Sequence, residues 1–265
     1  MNGQYDKKLK EIEFYKIHPE YLPFVGDQYD EFKILQVGES HYIPQEKGNE
    51  DLFSIAYFKE HWWKENGCEE LNTARTSSSD QKQWCGWYNT IGVVADYLSG
   101  KRRRGHGIFT EMVKMFSRVY TDTPITSIST ENSQAYHHFA FMNFYQMPSL
   151  YRGMSYWDSL VKSAKKVYSK ELAEKYACEV WEDTVKRSTE TLNQVIDILN
   201  PQVIIFTSES AYRAYCGQNG KHSARKGVFH CVHPGCKYWH HPAKGQIGKT
   251  ELEKKWKDYL QGDSL

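Results

Sequence analysis

The chain has 265 residues, 40% of them hydrophobic and 25% charged, ordinary values for a globular protein that buries a sizeable core. A net charge of +1 excludes overall attraction as the basis of nucleic-acid binding, so a binder with this balance must gather its positive charge on one face. No stretch approaches the roughly 20 apolar residues that span a bilayer and no apolar signal core opens the chain, so a cytoplasmic protein is expected.

Four short apolar runs read as buried strands. The first is Lys33-Ile34-Leu35-Gln36-Val37, ending at Gly38. Ile108 to Val119 then repeats apolar residues at helical spacing, and Phe139-Ala140-Phe141-Met142 forms the second strand, ending at Asn143. Leu192, Val195, Ile196 and Leu199 share one helix face, stopped by Asn200-Pro201. The third strand, Val203-Ile204-Ile205-Phe206, precedes a helix start at Ser208-Glu209-Ser210. The fourth is Val228-Phe229-His230-Cys231-Val232, ending at His233, and Thr250 to Leu260 makes a final amphipathic helix. Strands alternating with helices predict a parallel sheet with helices on both faces, a three-layer α/β/α fold. One domain over residues 1–265 is expected, with helical insertions at about 54–120 and 156–199; the polar stretch Thr73 to Gln83 reads as a surface loop.

Aromatic content is high, with 19 Tyr and 8 Trp; it fits a tyrosine-rich core or flat faces for stacking. Lys101-Arg102-Arg103-Arg104, flanked by Gly100, Gly105 and Gly107, is the one dense basic run, either a solvated loop or a phosphate contact. The six cysteines include no C-x-x-C pair and read as free thiols in a reducing compartment.

In parallel sheets ligands bind outside the carboxyl ends of the strands. Those positions hold Gly38-Glu39-Ser40-His41-Tyr42, Asn143-Phe144-Tyr145-Gln146-Met147-Pro148, Thr207-Ser208-Glu209-Ser210 and His233-Pro234-Gly235. In this order they resemble the uracil-DNA glycosylase superfamily, which has a four-stranded parallel sheet. There a Gly-Gln-Asp-Pro-Tyr type motif follows the first strand, an Asn ends the second and a His-Pro-Ser motif follows the fourth.

The resemblance implies a monomeric hydrolase that extrudes a damaged base from DNA and cleaves its glycosidic bond without cofactor or metal. Asn143 would read the edge of the base, since one amide supplies both a donor and an acceptor. Tyr42 would close the pocket against the base, Phe53 would stack on it and His41 would add a base or phosphate contact. His233 would donate to the base oxygen as charge grows there. Arg102 and Arg103 would contact DNA, and Tyr238 and Trp239 occupy the place of a duplex-wedging loop. Ser40 stands where the best-known branch has a water-positioning Asp, and a neutral hydroxyl cannot act as a carboxylate base. Glu39, or a backbone carbonyl, would then orient the water. Gly235 replaces the serine of the third motif.

Three other readings stay open. Each strand-end residue can be merely structural, with Gly38 a turn and Glu39 and Ser40 caps. His230-Cys231-Val232-His233-Pro234-Gly235-Cys236 with His240 and His241 is rich in zinc ligands, although no second ligand pair has finger-like spacing. Ser40 and His233 as a hydrolase pair lack the G-x-S-x-G elbow. A catalytically inactive nucleic-acid or base-binding protein of the same fold is the strongest alternative.

Overall fold

The computed structural model describes residues 3–42, 54–64, 89–101, 105–151 and 153–262. In chain order these form α1 (Gly3–Leu9), α2 (Glu13–Ile17), β1 (Phe24–Val25), α3 (Tyr29–Phe32), β2 (Ile34–Tyr42) and α4 (Ile55–His61). Next come α5 (Thr90–Leu98), α6 (Gly107–Tyr120), α7 (Thr130–Ser133), β3 (Phe139–Ser149), α8 (Tyr156–Val167) and α9 (Lys170–Leu199). The chain closes with β4 (Val203–Phe206), α10 (Glu209–Gly217), β5 (Val228–His230) and α11 (Lys249–Leu260).

The sheet runs β1-β3-β2-β4-β5. β3, β2, β4 and β5 are mutually parallel, as the four apolar runs predict. The expected four-stranded parallel sheet is nevertheless corrected to a five-stranded mixed one, because β1 pairs antiparallel with β3. Two residues are too few to carry a periodic signal in sequence. β1 covers what would be the open edge of β3, and Gly26 N–H donates onward to the Phe139 carbonyl at 3.0 Å, so β3 offers less template for stray pairing.

Side chains on β2 alternate between two hydrophobic clusters. Leu35 and Val37 join the larger one with Phe58 of α4, Leu160 of α8, Val185 and Leu192 of α9 and Ala211 of α10. Ile34 joins the other with Val94 of α5, Phe109, Met112 and Phe116 of α6 and Trp256 of α11. Cover on both faces explains why the strands read as continuous apolar runs. The 156–199 stretch, expected as an insertion, comprises α8 and α9, whose buried sides belong to the larger cluster. α9 spans 30 residues, about 45 Å at 1.5 Å per residue. It stops where Asn200 takes a left-handed conformation, φ 45°, before Pro201, which cannot continue a helix. No described helix is long and apolar enough to cross a membrane.

Candidate functional site

β2 and β3 run further than their apolar cores predict, and the extensions position the site. The ladder pairs Gly38 with Asn143 and Ser40 with Tyr145, then loses register before Tyr42. The residues expected in a loop after the first strand therefore lie on the strand itself, in alternation. A cavity of about 100 Å³ opens at this carboxyl edge, lined among the described residues by Gly38, Glu39, Ser40, His41, Tyr42, Val93, Gly105, His106, Ile108, Phe109, Phe141, Asn143, Thr207 and His233. Its size is on the scale of the roughly 150 Å³ closed hole that admits benzene in an engineered protein, and it is open to solvent on one side, which suits a flat ring entering from outside.

Gly38 is required by Asn143. A Cβ on residue 38 would lie 2.3 Å from Asn143 Oδ1 and 3.2 Å from the Phe141 ring, so only glycine lets the amide lie across the neighbouring strand. Asn143 is 7% exposed. Its carbonyl accepts from Gln146 Nε2 at 2.6 Å, but no hydrogen bond to its side-chain amide occurs among the described residues. With no partner for either side-chain atom among those residues, the amide is left to whatever enters the cavity, water or a polar ligand.

His233 follows β5. The Gly235 backbone N–H donates to its Nδ1 at 3.0 Å, which fixes the neutral tautomer with the proton on Nε2. Much of the residue's surface is open, yet the protein crowding its ring desolvates the imidazole and lowers its pKa from the ordinary 6.5. The ring is held as a neutral donor. Gly235 also has a steric reason, since a Cβ there would stand 3.0 Å from His233 Cε1 and 3.2 Å from Nδ1.

Glu39 is held differently from a free base. Its Oε1 accepts from the Tyr156 backbone N–H at 3.0 Å, the first residue of α8, and its Oε2 accepts from the Ser208 hydroxyl at 2.9 Å. Ser208 in turn caps α10 by accepting from Ala211 N–H at 3.2 Å. The carboxylate thus ties the end of β2 to two helix N-termini, where negative charge is favoured. Burial raises its pKa, and the two hydrogen bonds oppose that rise.

His41 is 4% exposed. Its Nε2 meets Thr90 Oγ1 at 2.9 Å, and its ring meets that of Tyr21 edge-on at 4.8 Å. Thr90 Oγ1 also lies 3.4 Å from the Tyr21 carbonyl, so this one hydroxyl links His41 both to α5 and to the segment ahead of β1. His41 therefore braces the wall against α5. Ser40 is buried and Tyr42 half-buried, both on the lining.

Trp239 is corrected outright. Expected as a wedge into DNA, it is wholly buried and donates Nε1–H to Glu111 at 2.9 Å, a core contact that leaves no aromatic face outward. Tyr238 beside it is 39% exposed. Phe53, Arg102 and Arg103 lie outside the described residues. Among the described residues no three His, Cys, Asp or Glu side chains are grouped to hold a metal, and Cys178, Cys216, Cys231 and Cys236 are free.

Several lining residues, Phe141 and Phe109 among them, escaped the sequence reading. Phe141 precedes Asn143 by two on one strand, so the period of a strand places both on one face; that signal was available. Phe109 meets Phe141 edge-to-face at 4.9 Å but reads in sequence as one more core residue of α6. Thr207 is recessed, accepting from Gln36 Nε2 at 3.4 Å while the Tyr136 hydroxyl donates to Gln36 Oε1 at 2.6 Å, a polar seam beneath the cavity. No known protein family, curated protein or solved structure matches the chain.

Proposed function

We propose that this cavity takes up a single nucleobase turned out of a DNA strand and hydrolyses its glycosidic bond, in a three-layer α/β/α domain of the uracil-DNA glycosylase type. One observation carries the reading: an unpartnered asparagine amide and a histidine fixed as a neutral Nε2 donor line one ring-sized cavity. The Asn143 amide offers a donor to a base carbonyl and an acceptor to a ring N–H. Phe109 and Phe141 supply apolar walls that favour a flat ring. As the bond between C1′ and the base nitrogen breaks, electrons move onto the base, and His233 Nε2–H donates to the oxygen where that charge collects. Water then adds hydroxide to C1′ and its proton goes to the departing base. In sequence the basic run Lys101-Arg102-Arg103-Arg104 directly precedes Gly105 and His106 of the lining, and on this reading it supplies a DNA phosphate contact.

Rate enhancement on this reading comes from stabilising the leaving base, because both Glu39 oxygens are engaged with helix ends and Ser40 is neutral. The same two facts favour a second reading, a protein that binds the base without cleaving it. Single- and double-stranded oligonucleotides carrying uracil, hypoxanthine or xanthine, incubated with the protein and then treated with alkali, separate the two. Strand scission by the wild type that is lost in both Asn143→Ala and His233→Ala supports the hydrolase. Binding with no scission at any lesion supports the binder.

A further inference from the structure

A second hollow of about 580 Å³ opens on the far side of the same strand ends, lined by Tyr145, Trp157, Trp181, Glu209, Ser210 and Arg213. We propose that it holds the nucleotide next to the extruded one in a single-stranded polynucleotide, an inference that rests on the base-binding reading of the cavity. Tyr145 stands two residues beyond Asn143 on β3 and opposite Ser40 in the ladder, roughly 7 Å further in backbone rise, and its ring joins the larger hydrophobic cluster while Phe141 joins the other, so the strand's alternation breaks between them. A polymer with one unit in the cavity can carry a neighbouring unit over this edge, since Ser40 of the cavity lining pairs in the ladder with Tyr145 of the hollow.

The chemistry of the lining matches such a unit. Trp157 is 37% exposed, and it meets Trp181 edge-on at 6.3 Å and 87°. The two rings leave indole surface facing the hollow, and aromatic faces accept any base because every base has a π face. Arg213 supplies the cation. It pairs with Glu209 at 2.6 Å, but its side chain is 75% exposed. A pair so open to solvent contributes little, so a phosphate can compete for the guanidinium while Glu209 keeps the unliganded hollow near neutral.

The test measures two ligands on the full chain: an undamaged, fluorescently labelled single-stranded oligonucleotide, and free uracil. Trp157→Ala is expected to weaken oligonucleotide binding about fivefold or more and to leave uracil binding unchanged. Arg213→Ala is expected to weaken oligonucleotide binding and flatten its salt dependence. Asn143→Ala should do the reverse, losing uracil and keeping the oligonucleotide. Matching thermal midpoints establish that each variant is folded. Wild-type oligonucleotide affinity in both Trp157→Ala and Arg213→Ala overturns the proposal, as does a wild type that binds no oligonucleotide. An oligonucleotide affinity that depends on Trp157 in a protein that does not bind uracil supports the groove and refutes the cavity.

Discussion

Replacing Gly38 by alanine separates the cost to the fold from the cost to the site. The added methyl would sit 2.3 Å from Asn143 Oδ1, where real Cβ contacts stay beyond 3.0 Å, and 3.2–3.3 Å from two atoms of the Phe141 ring. The oxygen is the end of a side chain that rotates, and the ring has only a few tenths of an ångström to yield. The loss of stability is therefore at the low end of the overpacking range, about 1 kcal/mol. The amide, by contrast, is forced out of its place on the lining. Misplacing one ligand hydrogen bond in a shielded site costs about 1–3 kcal/mol, so uracil affinity, or excision where the protein cleaves, should fall roughly 5- to 150-fold. Urea unfolding and equilibrium binding of free uracil measure the two effects on the same preparation. Binding that declines only in step with stability, or an alanine variant that binds as well as the wild type, would refute the assignment of Gly38 as the residue that makes room for the amide.

Glu39→Gln should fold at least as well as the wild type at pH 7, since the glutamine oxygen still accepts from Tyr156 N–H and its amide can donate to Ser208. Because burial raises the pKa of Glu39, its favourable contribution is present in full below the ordinary 4.5 and is lost as pH rises through the folded value. Urea unfolding from pH 4 to 8 should accordingly show the glutamine variant gaining on the wild type as pH increases, with excision changed by no more than a few-fold; a large rate loss in a folded variant restores Glu39 as base. The lowered pKa of His233 predicts that activity holds below pH 6.5 before falling, and that His233's contribution to stability is lost as pH drops from 6.5 through the folded value. A pH–rate profile that His233→Gln leaves unaltered in shape excludes His233 as its source. Trp239→Phe breaks the hydrogen bond to Glu111 and should cost about 1–3 kcal/mol in thermal or urea unfolding without selectively weakening DNA binding; a specific loss of DNA affinity at unchanged stability would return Trp239 to the interface.

The parts of the fold with strong local patterns were legible in the sequence. β4 occupies the predicted Val203–Phe206. α6 runs one residue beyond each end of its apolar pattern, and α10 begins at the Ser208 cap, where an oxygen near the first turn has a backbone donor to satisfy. What escaped depends on tertiary context. β1 is two residues long and exists by virtue of its pairing with β3. β2 and β3 continue past Gly38 and Asn143 because each supplies the other's ladder, although polar residues there read as strand ends. Strand-end logic gathered Glu39, Ser40, His41, Tyr42, Asn143 and His233 onto one lining. It could not reveal that the Glu39 carboxylate would be taken up by two helix N-termini, or that His41 would bond to Thr90, because those partners are distant in sequence. Trp239 misled for a related reason: its partner, Glu111, lies 128 positions earlier.

Amide resonances of uniformly ¹⁵N-labelled protein titrated with free uracil test the proposed base site most directly. Saturable shifts at the Asn143 side-chain NH₂ and at the Gly38 and Gly235 backbone N–H, abolished in Asn143→Ala, are the predicted result. Shifts confined to residues remote from β2, β3 and His233, or no shift at all for uracil, hypoxanthine and xanthine alike, would contradict it.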